Sequence, residues 1–321
     1  MPFQAAYLEL HRTGELQRRA ERALARLGDC AFCPRACHVD RTQVKASSSV
    51  CQGGRWAVVN SAFAHFGEES CLRGKRGSGT IFFAGCNLHC AFCQNWEISC
   101  GGEGGEITAE ELAALMLRLQ EEGCHNLNFV SPSHVVAQIL EALVIAAGQG
   151  LRLPLVYNSG GYDSLANLEL LDGVIDIYMP DFKFWESAQA RRYCDAPDYP
   201  EIARQAIREM HRQVGPLTLD GGIARRGLLL RHLVMPGEAT TPADATAASA
   251  GGPGAGTAAI LNWVARELGR DTYVNLMAQY HPAGRVRHGE FPEIDSLISQ
   301  HEFRRALEAA RQAGLSRLDR Q

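Results

Sequence analysis

The sequence predicts an α/β protein, an open partial (β/α)6 barrel preceded by an N-terminal cysteine-rich, metal-binding extension. Three observations carry this reading. Six short apolar runs recur along the chain, most of them followed by a helix-like segment. Such alternation implies a parallel sheet with right-handed crossovers. Six units fall short of a closed eight-fold barrel, so the barrel is expected to be open. Seven of the eleven cysteines fall in two clusters, one before the first of these runs and one directly after it.

In chain order, residues 4–27 read as a charged helix and residues 28–76 as irregular, cysteine-bearing sequence. "GTIFFAG" (79–85) is the first strand. Thr108 and Glu111 make a capping box that opens the helix "AEELAALMLRLQEE". "NLNFV" (126–130) is a strand, with Ser133 expected to cap the helix after it. "LPLVYN" (153–158) and "VIDIYM" (174–179) are strands, followed by helices near 164–171, 186–194 and 200–213. "GLLLRHLVM" (227–235) is a strand, 258–268 a helix and "TYVNLMA" (272–278) the sixth strand. Ser299 and Glu302 cap a last helix. The stretch 238–259, almost all Ala, Thr, Gly and Pro, reads as a flexible loop extension. The domains are therefore expected at 1–76, the N-terminal helix with the four-cysteine metal-binding extension, and at 77–321, the barrel with its C-terminal helix.

Composition narrows the function. The 321 residues carry a net charge of -4, with 46% hydrophobic and 21% charged residues. No basic excess points to nucleic acid or an anionic membrane. The first residues contain no apolar leader-like run, and no run is long enough to span a bilayer, so a cytoplasmic protein is expected. Lysine occurs only at Lys45, Lys75 and Lys183, while Lys and Arg together number 32. A site that uses lysine here needs a compact ammonium rather than a planar guanidinium.

The cysteines carry the chemistry. Cys86, Cys90 and Cys93 lie in one loop at the end of a predicted strand, where parallel α/β folds place their ligands. Three thiolates can hold three irons of a [4Fe–4S] cluster and leave the fourth iron open for a reactant, as three protein ligands do at catalytic zinc. Cys30, Cys33, Cys37 and Cys51 offer four thiolates, a closed set that suits structural zinc or a second [4Fe–4S] cluster. Cys71, Cys100, Cys124 and Cys194 read as small buried or idle thiols.

Cys-x3-Cys-x2-Cys with Phe92 before the last cysteine resembles the radical S-adenosylmethionine (SAM) superfamily. "GTIFFAGCNLHCAFCQN" is similar to the cluster loop of the pyruvate formate-lyase activating enzyme, and "PDFKF", "RHLVMPG" and "NLMAQYHP" resemble its later strands. "CAFCPRACHVDR", "HFGEE" and "KRGSGTIFF" look closest to the branch labelled activating-enzyme homologue. The resemblance covers residues 29–318. It implies a radical-SAM barrel in which Cys86, Cys90 and Cys93 ligate the cluster and SAM chelates the open iron. Reductive cleavage of SAM would then yield a 5′-deoxyadenosyl radical that abstracts a substrate hydrogen.

The resemblance also implies the binding residues. Phe92 packs near the adenine, and Asp181 and Lys183 hold SAM at a strand end, Asp181 by the ribose or sulfonium and Lys183 by the carboxylate. The family's Gly-Gly-Glu is replaced by Val130-Ser131-Pro132-Ser133-His134, with Ser131 the expected SAM contact and His134 a candidate contact. Asn158 and Ser159 stand where the activating enzyme has an Asp-Thr pair that can hold a monovalent cation. Gly160 and Gly161 would permit close approach to a ligand, and Arg231 and His281 are candidates for the barrel mouth. The expected function is reductive SAM cleavage for hydrogen abstraction, as in glycyl-radical-enzyme activases; the alternative is modification of a peptide or small molecule. The expected partners are a protein substrate, a glycyl-radical enzyme or a peptide, and an electron donor such as flavodoxin or ferredoxin.

Overall fold

Strand β2 (Ser78–Phe83) shows how the sheet sorts its side chains. Ile81 and Phe83 are buried in the core, where the Phe83 ring lies 6.2 Å from Phe129. Phe82, one residue between them, points instead into the barrel interior. This two-residue period sends successive side chains of β2 alternately to the core and to the barrel interior.

The computed structural model describes residues 3–42, 49–237 and 256–319. Within these, β1 (Ala57–His65), β2, β3 (Gly105–Ile107), β4 (Leu127–Val130), β5 (Leu155–Ser159), β6 (Ile177–Pro180), β7 (Thr218–Asp220), β8 (Ile223–Leu233), β9 (Tyr273–Met277) and β10 (Arg317–Leu318) form one sheet. Its order is β10-β9-β8-β6-β5-β4-β2-β1-β3, with β7 paired to β8. The six strands read from the sequence, β2, β4, β5, β6, β8 and β9, are parallel neighbours in chain order. This is the mixed α/β, mostly parallel sheet of a partial barrel.

The helices are α1 (Tyr7–Arg12), α2 (Glu15–Ala25), α3 (Ser70–Arg73), α4 (Trp96–Ser99), α5 (Ala109–Glu121), α6 (Val136–Gly148), α7 (Leu165–Leu171), α8 (Ser187–Cys194), α9 (Tyr199–Val214), α10 (Gly256–Glu267) and α11 (Gln300–Gln312). Both capping boxes form, at Thr108 with Glu111 and at Ser299 with Glu302.

Several expectations are corrected. Residues 4–27 are two helices, because Gly14 takes a left-handed φ of +74° between them. Residues 28–76 are not irregular throughout: β1 runs antiparallel to β2, so part of this segment extends the barrel sheet. Ser133 does not cap α6. Residues 132–134 form a 3-10 turn and α6 begins at Val136, leaving Ser133 to hydrogen-bond Asp163. The expected flexible extension at 238–259 falls on 238–255, outside the described residues, and 256–259 are already helix α10.

The N-terminal helices pack on the barrel rather than apart from it. The helix α2 lies against α6. The backbone N–H groups of Ala6 and Leu155 donate to the two carboxylate oxygens of Asp176 at 2.9 and 3.0 Å.

Candidate active site

The loop after β2 carries Cys86, Cys90 and Cys93. His89 turns it between the first two cysteines with a φ of +51°, a left-handed conformation rare outside glycine. All three cysteines line one cavity of about 360 Å³ at the C-terminal ends of the strands. The same cavity is lined by Phe92, Ser131, Asn158, Asp181 and Lys183, which brings these candidates together with the three cysteines.

Each of these three sulfurs has a hydrogen-bonding neighbour. The Leu88 amide donates to Cys86 Sγ at 3.4 Å, and Cys194 Sγ donates to Cys90 Sγ at 3.4 Å. Cys93 Sγ shares a hydrogen bond of 3.1 Å with Ser99 Oγ. Hydrogen bonds to sulfur are one of the levers that set iron–sulfur potentials. Burial pushes the Cys86 thiol up to about 12 and the Cys93 thiol up to about 11. At Cys90 the bond from Cys194 outweighs burial, and the Lys183 charge adds to it, so this thiol is pulled down. Buried sulfurs with donors aimed at them suit thiolates held by a metal centre. The residues present therefore fit a cluster.

Asp181 and Lys183 follow β6. Lys183 Nζ lies 2.6 Å from Asp181 Oδ2, and Arg231 Nε lies 2.9 Å from Asp181 Oδ1. The Asp181 and Lys183 side chains are only 12% and 14% exposed, so this is no solvated surface pair. Burial pushes the Asp181 carboxyl up, yet Lys183 and Arg231 together hold it down at about 2. Lys183 is likewise raised by Asp181 against its burial. Both groups are thus ionised near neutral pH. The backbone beneath them is pinned by Tyr199, whose hydroxyl donates to the carbonyls of Gly160 and Asp181 and accepts from the Lys183 N–H.

The ionic network continues across the lumen. Arg231 Nη1 is 3.7 Å from Glu68 Oε2, and Glu68 Oε1 is 3.2 Å from His65 Nδ1. His65 and Glu68 line the cavity as well. In the sequence they stood out only through the resemblance of "HFGEE". Cys194, Ser99 and Tyr199 had no sequence signal, since each acts through a contact that only the fold creates.

The remaining site residues divide. Ser131 is a left-handed non-glycine (φ +58°) on the cavity wall, an outlier of the kind that clusters at functional sites. Phe92 packs edge-on against Phe184 and Tyr193. Ser159 donates to Asp163 at 2.6 Å. Gly161 admits a close approach, but of the Asp181 carbonyl rather than a ligand. His134 is buried outside this cavity, with Nε2 2.9 Å from the Ala84 carbonyl, and burial with the nearby Arg41 lowers it to about 4. His281 is exposed and does not line the cavity. On β8 the alternation separates Arg231, in the lumen, from His232, held between the Phe182 carbonyl and Thr257.

Cys30, Cys33 and Cys51 are buried and Cys37 is partly exposed. Burial pushes Cys33 up to about 12, and Cys51 and Cys30 lie near enough to raise it further. Among the described residues, no three His, Cys, Asp or Glu side chains converge on a point that would take a single metal ion. That applies to both cysteine sets. A polynuclear cluster distributes its thiolates over several irons, so it needs no such convergence.

Comparison with known proteins bears on the class of domain. The family model described as Radical SAM superfamily matches residues 80–235, from β2 to just past β8. The chain thus contains a radical SAM superfamily domain, which implies an enzyme that uses a [4Fe–4S] cluster and SAM. Over 296 residues it is also 28% identical to an uncharacterized protein of Methanocaldococcus jannaschii, covering 89% of this chain and 75% of that relative. No helix among the described residues is long and apolar enough to cross a membrane.

Proposed function

We propose that this chain is a radical SAM activase, installing a radical on a glycyl-radical enzyme or a related protein partner in the cytoplasm. Flavodoxin or ferredoxin would supply its electrons. One observation carries the reading: Cys86, Cys90 and Cys93 share a cavity wall with the buried Asp181–Lys183 pair. The cluster with SAM supplies reductive cleavage and a carbon radical for hydrogen abstraction.

The chain's own residues bind and orient. Cys86, Cys90 and Cys93 hold the cluster. Lys183 offers a compact cation to the SAM carboxylate, and Asp181 accepts from the ribose hydroxyls. Ser131 and Asn158 add polar contacts, and Phe92 closes the apolar side and excludes water. The likeness of the cluster loop and later strands to the pyruvate formate-lyase activating enzyme supports the activase role. Cys30, Cys33, Cys37 and Cys51 hold zinc or a second cluster in this reading.

A second reading, modification of a peptide or small molecule, is favoured by the polar His65–Glu68 end of the cavity. Anaerobic capture of partners, followed by electron paramagnetic resonance (EPR) after addition of SAM and reductant, separates the two. The activase reading expects a glycyl radical on the captured protein. SAM turnover with every captured partner EPR-silent would overturn it.

A further inference from the structure

The pairing of β5 with β6 stops short of the residues that carry the ion pair. Its last bond runs from the Asp181 N–H to the Ser159 carbonyl at 2.9 Å. Past that point the chain of β5 turns at Gly161, with φ +76°, and the segment 181–183 loses its strand neighbour on this side. On the other side the Phe182 N–H donates to the Arg231 carbonyl at 2.8 Å.

One side-chain oxygen takes over from the missing strand. The Tyr199 hydroxyl lies 2.8 Å from the Lys183 N–H nitrogen, 2.9 Å from the Asp181 carbonyl and 3.0 Å from the Gly160 carbonyl. Main-chain groups left without a partner in a buried setting are costly, so this contact holds the segment in place. Gly160, Asp181 and Lys183 all line the cavity, whereas Tyr199 does not.

Tyr199 is itself firmly placed. It opens α9 and is fully buried. Its ring lies edge-on to Phe184 at 6.0 Å, and Phe184 lies edge-on to Phe92, next to Cys93, at 6.0 Å. Burial pushes the hydroxyl well above the ordinary tyrosine range, so it keeps its proton.

We propose that Tyr199 is a positioning residue of this site: its hydroxyl replaces the missing end of the β5–β6 ladder and fixes the backbone from which Asp181 and Lys183 present their charges to SAM. The role rests on the radical SAM reading. It adds no contact to SAM. It sets where a long, otherwise mobile lysine and its carboxylate partner begin, and misplaced binding groups lose affinity steeply.

The test removes that one oxygen. Tyr199→Phe keeps the ring and its packing on Phe184. In the anaerobically reconstituted holoenzyme, the cluster spectrum without SAM should match the parent. SAM affinity should fall by ~10-fold or more, and the EPR spectrum of the reduced, SAM-bound cluster should shift. Tyr162→Phe is the control for a hydroxyl that only holds structure: it lies 2.8 Å from Asp198 Oδ1, with its ring 6.1 Å from that of Tyr199. This control should bind SAM like the parent. Parent affinity in Tyr199→Phe, or an equal loss in Tyr162→Phe, overturns the role.

A double-variant cycle tests the route. In a Lys183→Ala background, Tyr199→Phe should weaken SAM binding by a further ~3-fold at most, because the group it positions is gone. A full, independent loss in that background would mean that Tyr199 acts by general loosening, and the proposal fails. Should Tyr199→Phe not fold, hydrogen exchange in the parent decides: the Lys183 amide should exchange as slowly as that of Asp181, and free exchange at Lys183 refutes the contact. A parent that assembles its cluster but binds no SAM refutes the radical SAM reading instead, and the Lys183 exchange still decides whether Tyr199 holds the strand end.

Discussion

Asp181 concentrates the electrostatics of the cavity: one buried carboxylate serves Lys183 on its own strand end and Arg231 on the neighbouring strand. SAM would add a carboxylate, an ammonium and a sulfonium to this set, and the network offers groups of both signs. Lys183→Ala and Asp181→Ala are each expected to weaken SAM binding by roughly ten- to a hundredfold, the effect of a lost charge-assisted hydrogen bond. Titration of SAM onto the assembled cluster measures it, and parent affinity in both variants would exclude them as SAM contacts. The pair also makes an acid-side prediction. Asp181 titrates at about 2 when folded, against an ordinary value of 3.8. Its contribution is therefore complete above the unfolded value and is lost as pH falls from about 4 through 2. Acid unfolding of Asp181→Asn should show a shallower dependence in that window, by ~2 kcal/mol; an unchanged profile would mean that Asp181 is not held ionised by its neighbours. The sequence exposed this pair because Lys183 is one of only three lysines and i, i+2 residues of an extended chain share a side. It could not expose Arg231 as their partner, since that contact joins residues 50 positions apart. Cys194 looked idle for the same reason.

At the scale of elements, the parallel strands were legible because buried parallel strands read as continuous apolar runs. The nine residues of β1, "AVVNSAFAH", were not. They mix small, polar and apolar residues, as a strand near the sheet edge with one partly exposed face does. The start of α6 was misread because Ser133 fits a cap by type, whereas the left-handed Ser131 sets a 3-10 turn first. Gly161 couples two elements: its φ is +76°, and the space a side chain would need is filled by the Asp181 carbonyl. Gly161→Ala should cost roughly 2–4 kcal/mol, from left-handed strain plus overpacking. Gly289, at φ +78° and ψ +8° with open space around it, should lose only the strain, about 1 kcal/mol, on change to Ala. Thermal unfolding of the two variants compares them, and equal losses would deny the close packing under Asp181.

Across the whole molecule, the sheet order explains why one loop and four strand ends meet. β2, β4, β5, β6, β8 and β9 run parallel and side by side, so Cys86–Cys93, Ser131, Asn158, Asp181 and Arg231 all reach the same end of the barrel. The N-terminal cysteines reach that end from outside, beside Gly85 and Asn87. Their number and spacing were visible in the sequence; their contact with the cluster loop was not, because it depends on Arg35 reaching the Asn87 carbonyl across a long sequence distance. The most direct measurement is the yield of 5′-deoxyadenosine from SAM by the anaerobically reconstituted, reduced protein, compared with Cys90→Ala. The arrangement of Cys86, Cys90 and Cys93 around one cavity requires stoichiometric or catalytic 5′-deoxyadenosine from the parent and none from the variant. No product from a parent loaded with iron and sulfide, or parent-level product from Cys90→Ala, would contradict it.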